Sequence, residues 1–141
     1  MASEVCALIV DDDAGCLHLL QEILEGLGLR VMTAGGPKAA LRQMQAETPD
    51  ILVADLRMPE MSGLELVRTT LELARATYCV VITGFASDEI TTEAYRVGVR
   101  DLLLKPINVT EVEARMRNAR EMVDLQREVR ALASQAQTSA V

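Results

Sequence analysis

The sequence is short of the features that would tie it to a membrane, an oxidising compartment or a nucleic acid. Its longest apolar runs, such as "YCVVITGF" (78–85), are far too short to cross a bilayer, which takes about 20 residues of helix. No basic segment followed by an apolar one opens the chain, so no secretory leader is expected. The three cysteines, Cys6, Cys16 and Cys79, are odd in number and form no C-x-x-C pair. They read as reduced, buried thiols in a cytoplasmic protein. Lysine and arginine form no basic stripe, and the net charge is −7. Phosphate contacts need concentrated positive charge, so direct nucleic-acid binding by this chain is not expected, and neither is membrane attachment. The single histidine, His18, falls beside Leu17 and Leu19 on a helical stretch and reads as a solvated surface residue. Lysine is almost as scarce: Lys38 and Lys105 stand against twelve arginines, which draws attention to the compact ammonium wherever lysine is chosen.

What is present is 141 residues, half of them hydrophobic, enough for one domain with a sizeable core. Five short apolar runs read as strands: "CALIV" (6–10), "RVMTA" (30–34), "DILVA" (50–54), "YCVVIT" (78–83) and "DLLL" (101–104). Near-continuous apolar runs of this kind suit strands covered on both faces. Helical patterns lie between them. Leu17, Leu20, Leu24 and Leu27 keep helical spacing, with Gly28 as the stop. Pro37 suits a first helical turn, and "SGLE" (62–65) is a capping-box pattern. Asp88 and "NVTE" (108–111) are placed to cap the last two helices. Strict βα alternation implies a parallel sheet with helices on both faces.

The last helix is expected to run from Val109 to about Ala133, with the small, polar tail "ASQAQTSAV" (133–141) fraying. Met122, Leu125, Val129 and Leu132 follow a three-four-three rhythm, which suits a short coiled-coil seam. Residues 1–120 therefore read as the domain, and 121–141 as a helical extension that serves as a homodimer contact or a linker.

In a doubly wound sheet, sites form outside the carboxyl ends of the strands. At those ends stand Asp11, Asp12 and Asp13, then Asp55, then Thr83, then Lys105. Adjacent carboxylates at about 5 Å and an effective dielectric of about 20 repel by roughly 3 kcal/mol per pair, so a cation or a division of roles is needed. Hard oxygen ligands from two strands suit Mg²⁺, and a hydroxyl and an ammonium opposite them suit the oxygens of a transferring phosphoryl group. An aspartate can carry that group as an acyl phosphate. Asp13, immediately ahead of the first helix, reads as its N-cap rather than as a third metal ligand.

The runs "LIVDDD", "VMTAGGPKAAL", "DILVADLRMPEMSGLEL", "VVITG" and "GVRDLLLKPI", in this order over about residues 4 to 120, resemble the receiver domain of two-component response regulators. The D-x-x-M-P-x-M-x-G run from Asp55 to Gly63 is its most specific part. The resemblance implies a flavodoxin-like (βα)5 fold with strand order 2-1-3-4-5, here with an extended C-terminal helix. It implies Asp55 as phosphoacceptor and Asp12 as a direct Mg²⁺ ligand. Asp11 would act through bound water, and the Arg57 carbonyl would be a further ligand. Thr83 and Lys105 would contact the phosphoryl group, with a cis bond between Lys105 and Pro106. The donor would be a phosphohistidine on a sensor kinase or phosphotransfer protein. The chain would then be a signalling phosphoacceptor that catalyses its own phosphorylation and dephosphorylation, not a metabolic enzyme. It departs from the family pattern at Leu102, where an aromatic switch residue is common, and at Ile107, where Phe is frequent. Arg57 and Phe85 occupy rim positions that influence acyl-phosphate lifetime in receivers.

Two other readings are open from the sequence. "IVDDDAG" contains a D-x-D after a strand, as in hydrolases of the haloacid dehalogenase type, with Asp11 as nucleophile. That reading leaves Asp55 and its following run unexplained and finds no acidic pair after Lys105. A third reading is an interaction module that no longer uses phosphorylation and works through its last helix.

Overall fold

The computed structural model describes residues 4–139. Five strands, β1 (Cys6–Val10), β2 (Arg30–Ala34), β3 (Ile51–Asp55), β4 (Tyr78–Thr83) and β5 (Asp101–Leu104), form one parallel sheet in the order β2-β1-β3-β4-β5. They alternate with α1 (Ala14–Gly26), α2 (Pro37–Ala46), α3 (Gly63–Leu73), α4 (Asp88–Val97) and α5 (Val109–Ser139). The central strands β1 and β3 are buried along their whole length, as their unbroken apolar runs require.

The period-two alternation of side chains along a strand divides the core in two. Ala7, Ile9, Ile51, Val53, Val80 and Ile82 face α1 and α5, where they meet Leu20, Leu24, Val112 and Met116. Leu8, Val10, Leu52, Ala54, Cys79 and Val81 face α2, α3 and α4, where they meet Met44, Leu66, Val67 and Ala94. Every strand therefore ends its run at the same edge of the sheet. Asp11, Asp55, Thr83 and Lys105 are the residues that end or follow four of them.

The local signals act where the sequence places them, with three differences, two in helices and one at a strand start. Asp13 caps α1, its carboxylate accepting from the Gly15 and Cys16 N–H groups at 2.9 and 3.2 Å. Gly28 follows α1 at φ +83°, Pro37 opens α2, and Ser62 and Asn108 accept from the N–H groups of Glu65 and Glu111. For α4, however, the cap is Ser87, whose hydroxyl accepts from the Ile90 N–H at 3.1 Å. Asp88 instead stands in the first turn with Glu89, where negative charge complements the helix dipole. Strand β3 begins at Ile51 rather than Asp50, whose carboxylate turns back to accept from the Cys6 N–H at 2.9 Å. Helix α5 does not fray at Ala133 but continues to Ser139. No glycine or proline follows Pro106, so the chain carries no stop signal there. The end of the expected frayed tail, Ala140 and Val141, lies outside the described residues.

Candidate functional site

The site is built on the first residues beyond the strands, where backbone direction is fixed by the sheet. Asp11 follows β1 and is buried. Its Oδ1 accepts from the Asp13 N–H at 2.9 Å, and its Oδ2 lies 3.1 Å from Lys105 Nζ. Asp55 ends β3, and its Oδ1 accepts from the Arg57 N–H at 3.2 Å. The same ammonium that faces Asp11 lies 3.1 Å from Asp55 Oδ2. Lys105 thus bridges two buried carboxylates, from a position whose peptide bond to Pro106 is cis, as expected. Asp12 is exposed beside them, and one oxygen from each of Asp11, Asp12 and Asp55 lies within 4.8 Å of the others.

The charges at this rim do not balance. Three carboxylates face one ammonium, which leaves an excess of two negative charges, and the buried Asp11 Oδ2 has the Lys105 ammonium at 3.1 Å as an ion-pair partner but no well-aligned hydrogen bond. A buried oxygen with a free lone pair among hard oxygen donors fits a divalent cation such as Mg²⁺, which bonds to a few carboxylates and keeps part of its water shell. The residues present therefore fit the ion, with Asp11, Asp12 and Asp55 as the acidic groups that would hold it.

Ionisation follows the same geometry. Burial opposes charge on Asp11, but the Asp13 N–H, the Cys16 thiol and the Lys105 ammonium outweigh it and hold the carboxyl below the ordinary aspartate range. Asp55 is pushed the other way: burial raises it, and the Asp11 charge adds to that against the relief from Lys105. Burial disfavours charge on Lys105, yet the two carboxylates it bridges raise its pKa above the ordinary lysine value. The Cys16 thiol is pushed up to about 12 by burial and by Asp11, so it stays protonated beside the site. Cys16, expected as a buried thiol, is only half-buried, unlike Cys6 and Cys79. Its place five residues after Asp11, in the first turn of α1, is the signal that would have found it.

Thr83 ends β4. Its hydroxyl donates to the Phe85 carbonyl at 2.8 Å and accepts from the Phe85 N–H at 3.1 Å. Phe85 is exposed, and the Arg57 guanidinium lies over its ring at 5.7 Å. Two side chains from different loops are thereby joined at the rim, a pairing that no local spacing announces. Leu102, half-buried, packs into the core beneath α2, α3 and α4, and Ile107 packs into the other core. His18 pairs with Glu22 on the surface and Lys38 with Glu60. Asp101 accepts from the Leu102 N–H and pairs with Arg115.

Residues 7–117 match the family model of the response regulator receiver domain. Among curated proteins, the transcriptional regulatory protein ZraR of Escherichia coli K12 is 32% identical over 112 residues, covering 79% of this chain and 25% of ZraR. An uncharacterised 14.6 kDa protein of Leptolyngbya boryana is 37% identical over 107 residues, covering 74% of this chain and 82% of that one. This chain spans about a quarter of the length of the ZraR relatives it matches. Among solved structures, a CheY-like receiver domain protein from Methanospirillum hungatei JF-1 superposes with a TM-score of 0.79 at 28% identity, covering 89% of this chain and 98% of that one. The BeF3-activated DrrB receiver domain superposes at 0.78 and 28%, covering 84% and 99%.

Proposed function

The chain belongs to the response regulator receiver domain family, and from that premise we propose that Asp55 accepts a phosphoryl group from a phosphohistidine and so switches this domain's interaction surface. Phosphorylation-switched signalling is the role of the family; the assignment of its parts to residues here rests on the bridging of Asp11 and Asp55 by one ammonium. In the proposed step an Asp55 carboxylate oxygen attacks phosphorus, the phosphorus–nitrogen bond of the donor breaks, and the imidazole leaves with that electron pair, taking a proton from solvent. Bound Mg²⁺ would neutralise charge on the phosphoryl oxygens. Asp11 and Asp12 would hold the ion with Asp55 and the Arg57 carbonyl. Lys105 would release Asp55 and turn to the phosphoryl group while keeping Asp11. The Thr83 hydroxyl can reach a phosphoryl oxygen only by giving up the Phe85 carbonyl, so its reorientation would loosen the β4–α4 loop. The donor would be a sensor histidine kinase or a histidine phosphotransfer protein. The division into a receiver over 1–120 and a helical extension over 121–141 is part of the same proposal.

The test is the mass of the intact protein after incubation with Mg²⁺ and acetyl phosphate. One added phosphoryl group is expected, lost in Asp55→Asn and in the presence of a chelator. Steady phosphate release that depends on Asp11 would favour a hydrolase instead, and no reaction at all would favour an interaction module.

Phe85 stands over the rim with Arg57 against its ring, and this pair would shield the acyl phosphate from attacking water. Phe85→Ala is expected to shorten the lifetime of phosphorylated protein several-fold, read by the decay of the phosphorylated mass after donor removal. An unchanged lifetime would remove Phe85 from the account.

A further inference from the structure

Helix α5 carries two apolar stripes, and the domain covers only one. Val112, Met116, Ala119 and Val123 are buried against the sheet and α1. Two polar contacts hold the helix in that rotation. Arg120 donates to the Leu27 carbonyl, and Arg127 Nη2 pairs with Asp50 Oδ2 at 2.8 Å, 77 residues away in sequence. Met122, Leu125, Val129 and Leu132 are respectively 38, 55, 64 and 58% exposed. At about 100° per residue, the centre of this second stripe lies about 130° around the helix from the covered one. A helix that serves only its own domain carries one stripe and is polar opposite to it.

We propose that this second stripe pairs with the same stripe of a second copy of the chain, as a short parallel two-stranded coil. The three-four-three spacing places Met122 and Val129 at one core position of a heptad, and Leu125 and Leu132 at the other. The flanking positions then decide the partner and its direction. In a parallel pair of identical helices Glu121 faces Gln126 of the second copy, and Glu128 faces Ala133, with no like charges opposed. In an antiparallel pair Glu128 faces its own counterpart across the two-fold axis, which is repulsive. A parallel arrangement also suits the fold. The helix starts at the acidic rim and leaves the domain at the opposite edge of the sheet, so both copies present Asp55 on the same side with the coil projecting away from it.

The eight seam residues of two copies bury on the order of 1,000 Å², the lower bound of a specific interface, so the test spans micromolar concentrations. Sedimentation velocity of the full chain, without phosphoryl donor, over about 1 to 200 µM is expected to show a monomer–dimer equilibrium, weakened at least about tenfold by Val129→Glu. The exposed position of Val129 leaves the fold intact, which an unchanged melting temperature at low concentration would verify. Val129→Cys is expected to give a symmetric disulfide-linked dimer on mild oxidation. A monomer at every concentration, or a dimer indifferent to Val129→Glu, would overturn the proposal. So would a disulfide that forms only when Leu125→Cys and Val129→Cys proteins are mixed, the mark of an antiparallel pair. None of these readouts requires Asp55 to be phosphorylated, so failure here is separate from failure of the phosphoacceptor reading.

Discussion

Gly63→Ala is expected to lower stability by about 3 kcal/mol and the melting temperature by roughly 10 °C. A Cβ at Gly63 would lie 2.3 Å from the Asp55 carbonyl oxygen and 2.9 Å from the Leu56 Cα, both backbone atoms at the end of β3. Neither can give way cheaply. The Gly63 N–H donates to the Leu56 carbonyl at 2.8 Å, and the Leu56 N–H donates to the Ile82 carbonyl of β4 at 2.8 Å. The first turn of α3 is therefore pressed onto the very peptide that carries Asp55. Thermal unfolding should show the loss, and phosphoryl uptake at Asp55 should slow because the clash moves the acceptor. Gly26→Ala is the contrast: nothing lies within 4 Å of its Cβ, and alanine in the last turn of α1 should leave stability unchanged or raise it by up to about 1 kcal/mol. An unchanged melting temperature for Gly63→Ala would mean that α3 can back away from β3.

Lys105→Ala should be the most pH-dependent of the variants. Removing one partner of a buried ion cluster leaves charge uncompensated and costs about 3–5 kcal/mol at neutral pH. Asp11 is 2% exposed and Asp55 8%, so neither carboxylate can turn to solvent for relief. The folded pKa of Lys105 is raised, so its stabilising contribution is complete below the ordinary lysine value and disappears only as pH rises through the folded value. The Asp11 contribution runs oppositely: its pKa is lowered, so the contribution is present above the ordinary aspartate value and is lost as pH falls. Asp55 has a raised pKa, and its ionisation therefore opposes folding as pH climbs through the carboxylate range. Without Lys105 that opposition grows. The gap between parent and variant should be widest near neutrality and shrink toward about pH 4, as the carboxyls take up protons. A divalent cation should narrow the gap as well, because the variant's uncompensated carboxylates bind it more tightly, and a tenfold lower dissociation constant adds about 1.4 kcal/mol to the variant at saturating ion. Denaturant unfolding across pH, with and without Mg²⁺, checks both. A gap that stays constant with pH would show that Lys105 acts through packing rather than charge.

The order of elements, the two covered faces of the sheet and the rim residues are all legible in the sequence. Each depends on short-range periodicity, or on what directly follows a strand. Alternation along "ALIV" and "ILVA" dictates two cores, and the parallel topology then brings every strand's C-terminal residue to one edge, where Lys105 meets Asp11 and Asp55 and Thr83 stands on the same rim. The three aspartates after β1 also divide as their positions suggest. Asp11 is buried under Lys105, Asp12 stands exposed in the acidic cluster, and Asp13 caps α1.

Less was legible where neighbours compete for the same role. Ser87 and Asp88 are both good caps, and only the backbone path decides that Ser87 takes the position. The tail beyond Ala133 has the composition of a frayed end but no residue that stops a helix, and propagation continues to Ser139.

The sequence by itself determined the fold class and the chemistry available at the rim, because strand periodicity and strand ends are local properties of the chain. Only the tertiary structure decided who touches whom: one lysine between two carboxylates, Arg57 on Phe85, and Arg127 on Asp50. These contacts join residues far apart in the chain, and their geometry follows from how the loops and helices settle on the sheet. The rotation of α5 is of the same kind. Its two stripes can be read from the sequence, but which one the domain covers was settled by packing against β3 and α1, and the other was left facing outward.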